Sequence, residues 1–164
     1  MTNARSKSLY CAVLAAFLGS GAAHAQLTTD HTTCRAGTST VLAQADKTTV
    51  VLLDHRGVAQ SSDGKDPFHG STQRCVGVLA NIEGTVTANG WCKQVHPQTG
   101  DWLVLDWANS GKPGSGTYTI RHGTGKWKGA TGTGTYESLG QTRPVDPGTY
   151  QNCVRIKGTL SIPG

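Results

Sequence analysis

The sequence is poor in features that would indicate a helical or membrane-embedded protein. Only 15% of its 164 residues are charged and only 6% are aromatic. No stretch after the amino terminus combines three or four turns of helical periodicity with capping residues, so a helical bundle is not expected. A single continuous apolar run occurs, and it lies close to the amino terminus. What is abundant instead is glycine, with 22 residues, and threonine.

The amino terminus has the pattern of a secretory signal peptide. Two basic residues, Arg5 and Lys7, precede the apolar run Leu9–Gly19, and the tripeptide Ala-His-Ala at 23–25 offers small residues where a signal peptidase cleaves. The run is shorter than the roughly 20 residues of a membrane helix. We therefore predict that residues 1–25 are removed and that the mature chain is exported, to the periplasm or the medium, with no membrane span.

The mature chain, 26–164, has the length of a single domain. Its formal charge falls from +5 to +3 when Arg5 and Lys7 leave with the signal peptide. The remaining basic residues are scattered singly among acidic ones, and Lys126 and Lys128 form the densest pair. A nucleic-acid-binding protein concentrates its basic residues on one stripe, so no nucleic-acid partner is expected.

Four cysteines remain after Cys11 is removed with the signal peptide, and none belongs to a C-x-x-C motif. They are Cys34, Cys75, Cys92 and Cys153. An even number of cysteines in an exported domain predicts two disulfides, for which the sequence permits three connectivities. The close cysteine pairs of structural zinc sites are missing, so no metal is predicted.

The position of one turn favours one of the three connectivities. If Glu83-Gly84 is a two-residue turn, Cys75 lies directly opposite Cys92 across an antiparallel hairpin, within reach of a disulfide. By elimination Cys34 then pairs with Cys153. A turn at 87–90 would reverse the chain elsewhere and remove this argument.

Alternation at period two, interrupted by glycine-rich turns, predicts an all-β antiparallel sandwich or barrel. The segment 60–73 shows no alternation and is expected to be a long surface loop. The candidate strands number eight: Ser39–Ala45, Thr48–His55, Arg74–Ile82, Thr85–Val95, Asp101–Ala108, Gly116–His122, Thr131–Ser138 and Thr149–Ile162.

The strand at 101–108 has two partly apolar faces. One carries Leu103, Leu105 and Trp107, and the other carries Trp102, Val104 and Asp106. A strand of this kind is covered on both sides or lines a cavity with one of them. If the second face looks inward, Asp106 is the candidate catalytic acid, because burial raises the pKa of a carboxyl. The favoured alternative is an aspartate in a salt bridge on the outside of the barrel. The candidate ligand-contacting residues are Trp102, Trp107 and Tyr118.

The stretch GTGKWKGATGTGTY, 123–136, is not a phosphate-binding loop. Lys128 stands where the third glycine of a dinucleotide fingerprint belongs, and Trp127 stands where a P-loop needs Ser or Thr. We interpret it as a structural turn in which Trp127 plugs an open end of the barrel. Its glycines permit the positive φ values of tight turns: Gly123, Gly125, Gly129, Gly132 and Gly134.

The pattern G-x-G-K-[aromatic]-x-G-A-x-G-x-G-x-Y in this stretch resembles the conserved turn of the allene oxide cyclase and dirigent barrels. The pattern is still more similar to that of small exported bacterial proteins of the same superfamily. Three further features resemble those bacterial proteins: Gly90-Trp91-Cys92, the turn 99–101 and Trp107. The resemblance covers about 75–138. It implies a single eight-stranded antiparallel barrel around a mostly apolar cavity, in agreement with the strand count. It carries over no catalytic residue, because the motif is a structural turn.

No catalytic constellation stands out. The nucleophile elbow G-x-S-x-G and the zinc motif H-E-x-x-H do not occur, and His55, His69, His96 and His122 lie on separate segments without ligand spacing. No cofactor is predicted. The favoured hypothesis is a non-catalytic exported barrel that binds a small apolar ligand or a partner. The alternative is a cavity-type isomerase or cyclase, which the resemblance implies.

Overall fold

A computed structural model describes residues 24–112, 114–140 and 142–164. The predicted signal peptide lies outside these residues except for its last two positions. Eight strands follow one another along the chain: β1 His24–Ala45, β2 Thr48–Gln60, β3 Thr72–Ile82, β4 Thr85–Val95, β5 Trp102–Asn109, β6 Ser115–Gly123, β7 Thr131–Ser138 and β8 Thr149–Pro163. A short 3-10 helix, Gly125–Trp127, connects β6 to β7.

The eight strands form a closed antiparallel barrel. Each strand pairs with its neighbour in sequence, and β1 closes the sheet by pairing with β8 along Thr38↔Thr149 to His24↔Pro163. The predicted all-β, eight-stranded antiparallel barrel is confirmed. The helix content of the described residues includes nothing long and apolar enough to cross a membrane.

Strand β8 illustrates how the sequence pattern places the core. Val154 and Leu160 are buried inside the barrel, whereas Arg155, Lys157 and Thr159 between them are exposed. Successive side chains of a strand point to opposite faces, so this alternation fixes which residues fill the interior.

Strand β1 is much longer than the sequence pattern predicts, because it begins at His24 rather than at Ser39. Its first half is rich in threonine, and its inward positions are filled by Thr29, His31 and Thr33, which are all buried. A strand with polar residues on both faces shows no alternation of hydrophobicity, and the segment was therefore not recognisable as a strand.

Both predicted disulfides are present. Glu83 and Gly84 have φ values of 52° and 87° and form the two-residue turn between β3 and β4. Cys75 accordingly lies opposite Cys92, with their Cα atoms 4.0 Å apart. The second bridge joins Cys34 on β1 to Cys153 on β8, directly opposed across the seam that closes the barrel.

One end of the barrel is closed by a compact apolar cluster around Trp127, as predicted. Trp127 is 1% exposed, and its ring packs on Phe68 with the ring centroids 5.3 Å apart. Leu103, Ile120 and Leu160 complete the cluster from three strands. The 3-10 turn positions the indole, and it requires a positive φ at Gly125 (49°) and at Gly129 (73°).

Gly132 and Gly134 were assigned to this turn, but they lie within β7. Both occupy inward positions where a side chain would collide. A Cβ at Gly134 would lie 2.5 Å from the Tyr118 ring, and one at Gly132 would lie 3.1 Å from Ile120. Their role is to leave room for neighbouring side chains rather than to turn the chain.

The loop that connects β2 to β3 is not the surface loop predicted for 60–73. It folds across the closed end and inserts Phe68 beside Trp127. Asp66 fixes the loop, because its carboxylate accepts the backbone N–H groups of Phe68 (2.7 Å) and Asp30 (2.6 Å). Its Oδ1 also lies 3.2 Å from Nδ1 of the buried His31. A lone buried Phe and Asp in a non-alternating segment give no sequence signal for this arrangement.

Candidate binding cavity

The barrel interior contains a cavity of about 520 Å³. It extends from Phe68 and His31, beneath the closed end, to Leu79 and Val86 near the opposite rim. Its wall is mainly apolar and includes residues of most strands, among them Leu53, Leu105, Trp107, Val154 and Ile156. The volume lies within the roughly 300–1,000 Å³ of small-molecule sites.

The strand with two partly apolar faces, β5, points Leu103, Leu105 and Trp107 inward and Trp102, Val104 and Asp106 outward. The candidate role of Asp106 as an inward-facing acid is therefore wrong, and the favoured alternative, a salt bridge outside the barrel, is confirmed. Its carboxylate accepts a hydrogen bond of 2.7 Å from Arg121 Nη2 on the outer face. The other face of β5 points inward, because Leu103 on that face packs into the apolar cluster at the closed end.

Trp102 is also outside the barrel, so its prediction as a cavity residue is wrong. The Lys93 ammonium lies 5.2 Å from the centroid of the indole ring, and the His122 ring lies 5.7 Å away. A bulge shifts the register of β5 and β6 between Val104 and Leu105, which turns His122 outward and pairs it with Val104. This pairing was not predictable from alternation alone.

Trp107 and Tyr118 line the cavity, in the position expected for them. Contact with a ligand stays a prediction. Trp107 lies against the wall where two opposed strands carry glycine: a Cβ would come within 2.5 Å of its ring at Gly77 and within 2.8 Å at Gly90. The absence of these two side chains leaves room for the indole against the sheet.

A cluster of polar side chains from β1, β2 and β8 lies in the same cavity, and sequence analysis missed it. Arg35 is central: its Nε donates to Asn152 Oδ1 at 2.7 Å, and its Nη1 contacts His55 Nε2 at 3.0 Å. The other ring nitrogen of His55 is hydrogen-bonded to the Tyr150 hydroxyl. All four side chains line the cavity.

The strand register explains how these side chains meet. Arg35 lies directly opposite Asn152, and Gly37 lies between Tyr150 on one side and His55 on the other. A Cβ at Gly37 would come within 2.5 Å of the His55 Cβ, so glycine is needed for the His55–Tyr150 contact. The predicted Cys34–Cys153 pairing was a signal for part of the cluster, because it fixes the register that places Arg35 opposite Asn152.

Burial sets the ionisation of this cluster. Loss of solvent and the charge of Arg35 lower the pKa of His55 from 6.5 to about 3. Burial also raises the pKa of Tyr150 to about 12 and lowers the pKa of the Arg35 guanidinium. His55 and Tyr150 are therefore neutral at physiological pH, and the cluster carries the single positive charge of Arg35.

Over the described residues, no group of three or more His, Cys, Asp or Glu side chains is placed to hold a metal ion. The polar cluster contains hydrogen-bond donors and a neutral imidazole, and it lacks the carboxylates of hard-cation sites. The polar cluster can donate hydrogen bonds to a ligand.

Comparisons with known proteins bear on the fold. No protein-family profile and no curated protein sequence matches the chain. Among solved structures, the pterocarpan synthase dirigent protein GePTS1 superposes with a TM-score of 0.55 and 15% identity, over 94% of this chain and 100% of that one. The pterocarpan synthase dirigent protein PsPTS1 superposes with a TM-score of 0.50 and 14% identity, over 87% of this chain and 97% of that one. At these identities the similarity shows that the chain has the eight-stranded barrel fold of the dirigent proteins.

Proposed function

We propose that this protein binds a small, largely apolar ligand inside its barrel. The observation that carries the proposal is the cavity of about 520 Å³, which is closed at one end by Trp127 and Phe68 and extends to residues near the opposite rim. A mainly apolar wall with polar groups that can orient a ligand is the composition of ligand pockets. Burial of an apolar ligand there would release about 25 cal/mol for each Å² of apolar surface removed from water.

Binding takes place outside the cytoplasm. The sequence supports export through its signal-peptide pattern at 1–25, and the two disulfides suit an oxidising compartment. Cleavage after Ala25 would leave β1 almost complete, because only His24 and Ala25 precede the first remaining pair, Gln26↔Ser161.

Calorimetric titration with a neutral apolar probe, 2-naphthylmethanol, tests the proposal. Saturable binding with a stoichiometry of one is expected. Trp107→Ala should weaken it at least fivefold, because the indole lines the cavity. The matched control is Trp102→Ala on the outer face of the same strand, which should leave the affinity unchanged. Absence of saturable binding, or an equal effect of the two substitutions, would contradict the proposal.

The second candidate is a cavity-type isomerase or cyclase, which the Arg35–His55–Tyr150 cluster favours, because donors inside an apolar cavity can stabilise charge that develops on a substrate. The structural neighbours are named as pterocarpan synthases. A compound recovered by native mass spectrometry from the host's own protein can be incubated with fresh protein and analysed by chiral chromatography. An unchanged compound supports binding alone, and conversion to an isomer supports catalysis.

A further inference from the structure

Arg35 is a partly buried cation that no carboxylate among the described residues neutralises. All 10 acidic residues of the sequence are among the described residues, and none of them lines the cavity. The nearest in sequence to the cluster, Asp54, points outward and accepts two hydrogen bonds from Arg74, at 3.0 and 2.7 Å. The other carboxylates in ion pairs bind partners elsewhere: Asp30 with Arg155 and Lys157, Asp66 with His31, Asp106 with Arg121, and Glu137 with Lys112.

The guanidinium of Arg35 is only partly satisfied. Its Nε bonds Asn152 and its Nη1 bonds His55, whereas Nη2 has no hydrogen-bond partner among the described residues. Both partners are neutral, so they fix the orientation of the guanidinium without compensating its charge. The Nη2 edge of the guanidinium can therefore donate hydrogen bonds to a bound ligand.

The contact between Arg35 and His55 leaves the O–H of Tyr150 available to donate a hydrogen bond. An arginine N–H can only donate, so Nε2 of His55 must accept and the ring proton must lie on Nδ1. Nδ1–H then donates to the Tyr150 hydroxyl oxygen. In the hydrogen bond with His55 the Tyr150 hydroxyl is the acceptor, so its own O–H remains available to donate. Tyr150 lines the same cavity as Arg35.

From these contacts we infer that the ligand carries a single carboxylate-type anionic group, which accepts hydrogen bonds from Arg35 and Tyr150 inside the barrel. The inference rests on the proposed function and adds the chemical class of the ligand. A charge that is partly removed from water without a counter-ion is unfavourable, and an anionic ligand would supply that counter-ion. Hydrogen bonds between a guanidinium and a carboxylate are among the strong ones in proteins.

Other charge types fit the cavity less well. A cationic ligand would be repelled by Arg35, and a neutral apolar ligand would cover the guanidinium without neutralising it. The second buried imidazole of the cavity wall, His31, is occupied by a contact with Asp66, whose Oδ1 lies 3.2 Å from His31 Nδ1. Arg35 is the only arginine or lysine among the described residues that line this mainly apolar cavity, which matches a ligand with one negative charge and an apolar body.

Three probes of equal shape separate these possibilities at pH 7: 2-naphthoate, 2-naphthylmethanol and 2-naphthylmethylammonium. In calorimetric titrations of the wild-type protein, naphthoate should bind at least tenfold more tightly than the alcohol, and the ammonium probe should bind most weakly. Arg35→Gln should weaken naphthoate binding about ten- to hundredfold, the range for a hydrogen-bonded charge, and should change alcohol binding less than threefold. Tyr150→Phe should weaken naphthoate binding by a smaller factor.

Arg74→Gln, on the outer face, is the matched control and should change neither affinity. Equal affinities of the wild-type protein for naphthoate and the alcohol would overturn this inference and leave the proposed function standing. So would an equal loss of both probes in Arg35→Gln. Failure of all three probes to bind would contradict the proposed function itself. If Arg35→Gln does not fold, the wild-type comparison and Tyr150→Phe still decide the question.

Discussion

The buried imidazole of His55 links the stability of the barrel to pH. Its pKa is about 3 in the folded state, because of burial and the charge of Arg35, whereas an unfolded histidine has a pKa of 6.5. The unfolded chain therefore binds more protons between these values, and stability that is fully present above pH 6.5 is lost as the pH falls towards 3. Between pH 7 and pH 5 the loss from this group should be about 2 kcal/mol.

Urea unfolding at pH 7, 6 and 5 measures this loss. The groups that contact the imidazole, Arg35 and Tyr150, do not titrate in this range. His55→Gln should therefore remove most of the pH dependence. His122→Gln, which changes an exposed histidine on the outer face, should retain it. A wild-type stability that is flat from pH 7 to 5 would show that His55 is not held neutral.

Trp127 and Trp91 are a matched pair of tryptophans with opposite environments. Trp127 is 1% exposed in the cluster that closes the barrel, whereas Trp91 is 52% exposed on the outer face of β4. Trp127→Ala should reduce the free energy of unfolding by about 3–5 kcal/mol, as core aromatic truncations do. Trp91→Ala should change it by less than about 0.5 kcal/mol. Similar losses at the two positions, in chemical denaturation, would mean that Trp127 does not plug the barrel.

Single residues were the least predictable level of this molecule. Both faces of β5 are half apolar, so alternation could not decide whether Asp106 and Trp102 or Leu105 and Trp107 look inward. The decision depends on packing at the closed end, where Leu103 joins Trp127. Arg35 and His55 were missed for a different reason: a polar residue in a cavity wall has the same sequence signature as one in solvent.

At the scale of strands and turns, most of the structure could be predicted. The bounds of β4 and β7 are those expected, and the Glu83-Gly84 turn gave the register that pairs Cys75 with Cys92. The first half of β1 and the loop between β2 and β3 could not be predicted. Their conformation depends on contacts such as those of Asp66 with Asp30 and Phe68, and not on a local sequence pattern.

Strand β4 provides a test of the glycines that face Trp107. Alanine is normally favoured over glycine inside a strand by about 0.5–1 kcal/mol. A Cβ at Gly90, however, would lie 2.1 Å from the Val76 carbonyl oxygen and 2.8 Å from the Trp107 ring. Gly90→Ala should therefore destabilise the barrel by about 1–3 kcal/mol in urea unfolding, the usual cost of overpacking.

The control for this substitution is Asn89→Ala, which changes the adjacent, outward-facing residue of β4 and should alter stability by less than about 0.5 kcal/mol. A neutral or stabilising Gly90→Ala would show that the strands separate easily and that Trp107 is not packed against them. Heteronuclear NMR of the Trp107 indole would report the same displacement directly.

For the molecule as a whole, the fold class and the presence of a cavity could be predicted, but the chemistry of the cavity could not. The eight-strand pattern was compatible with a sandwich or a barrel, and the resemblance over about 75–138 implied the barrel. The polar cluster instead depends on closure of β1 on β8, which brings Arg35 beside Asn152 although 117 positions separate them in the chain. Such a contact leaves no local signal in the sequence.

Closure of the barrel also bears on maturation. The seam between β1 and β8 is held by the Cys34–Cys153 bridge and by pairing that continues to Gln26↔Ser161 beyond the predicted cleavage point. Removal of 1–25 should therefore leave a closed barrel. Expressed with its own amino terminus in a bacterial host, the protein should be recovered from the periplasm or the medium with Gln26 as its first residue and without a free thiol.

Intact mass spectrometry after alkylation under denaturing, non-reducing conditions measures both properties at once. The wild-type protein should have the mass of 26–164 with two disulfides and no added alkyl group. Cys153→Ala is the control, because it leaves Cys34 without its partner and should gain one alkyl group. Alkylation of the wild-type protein would contradict the paired state of the four cysteines, and recovery of the full-length chain from the cytoplasm alone would contradict export. A mature protein that starts at Gln26 but unfolds far more readily than the full chain would instead show that the pairs at His24 and Ala25 are needed to close the seam.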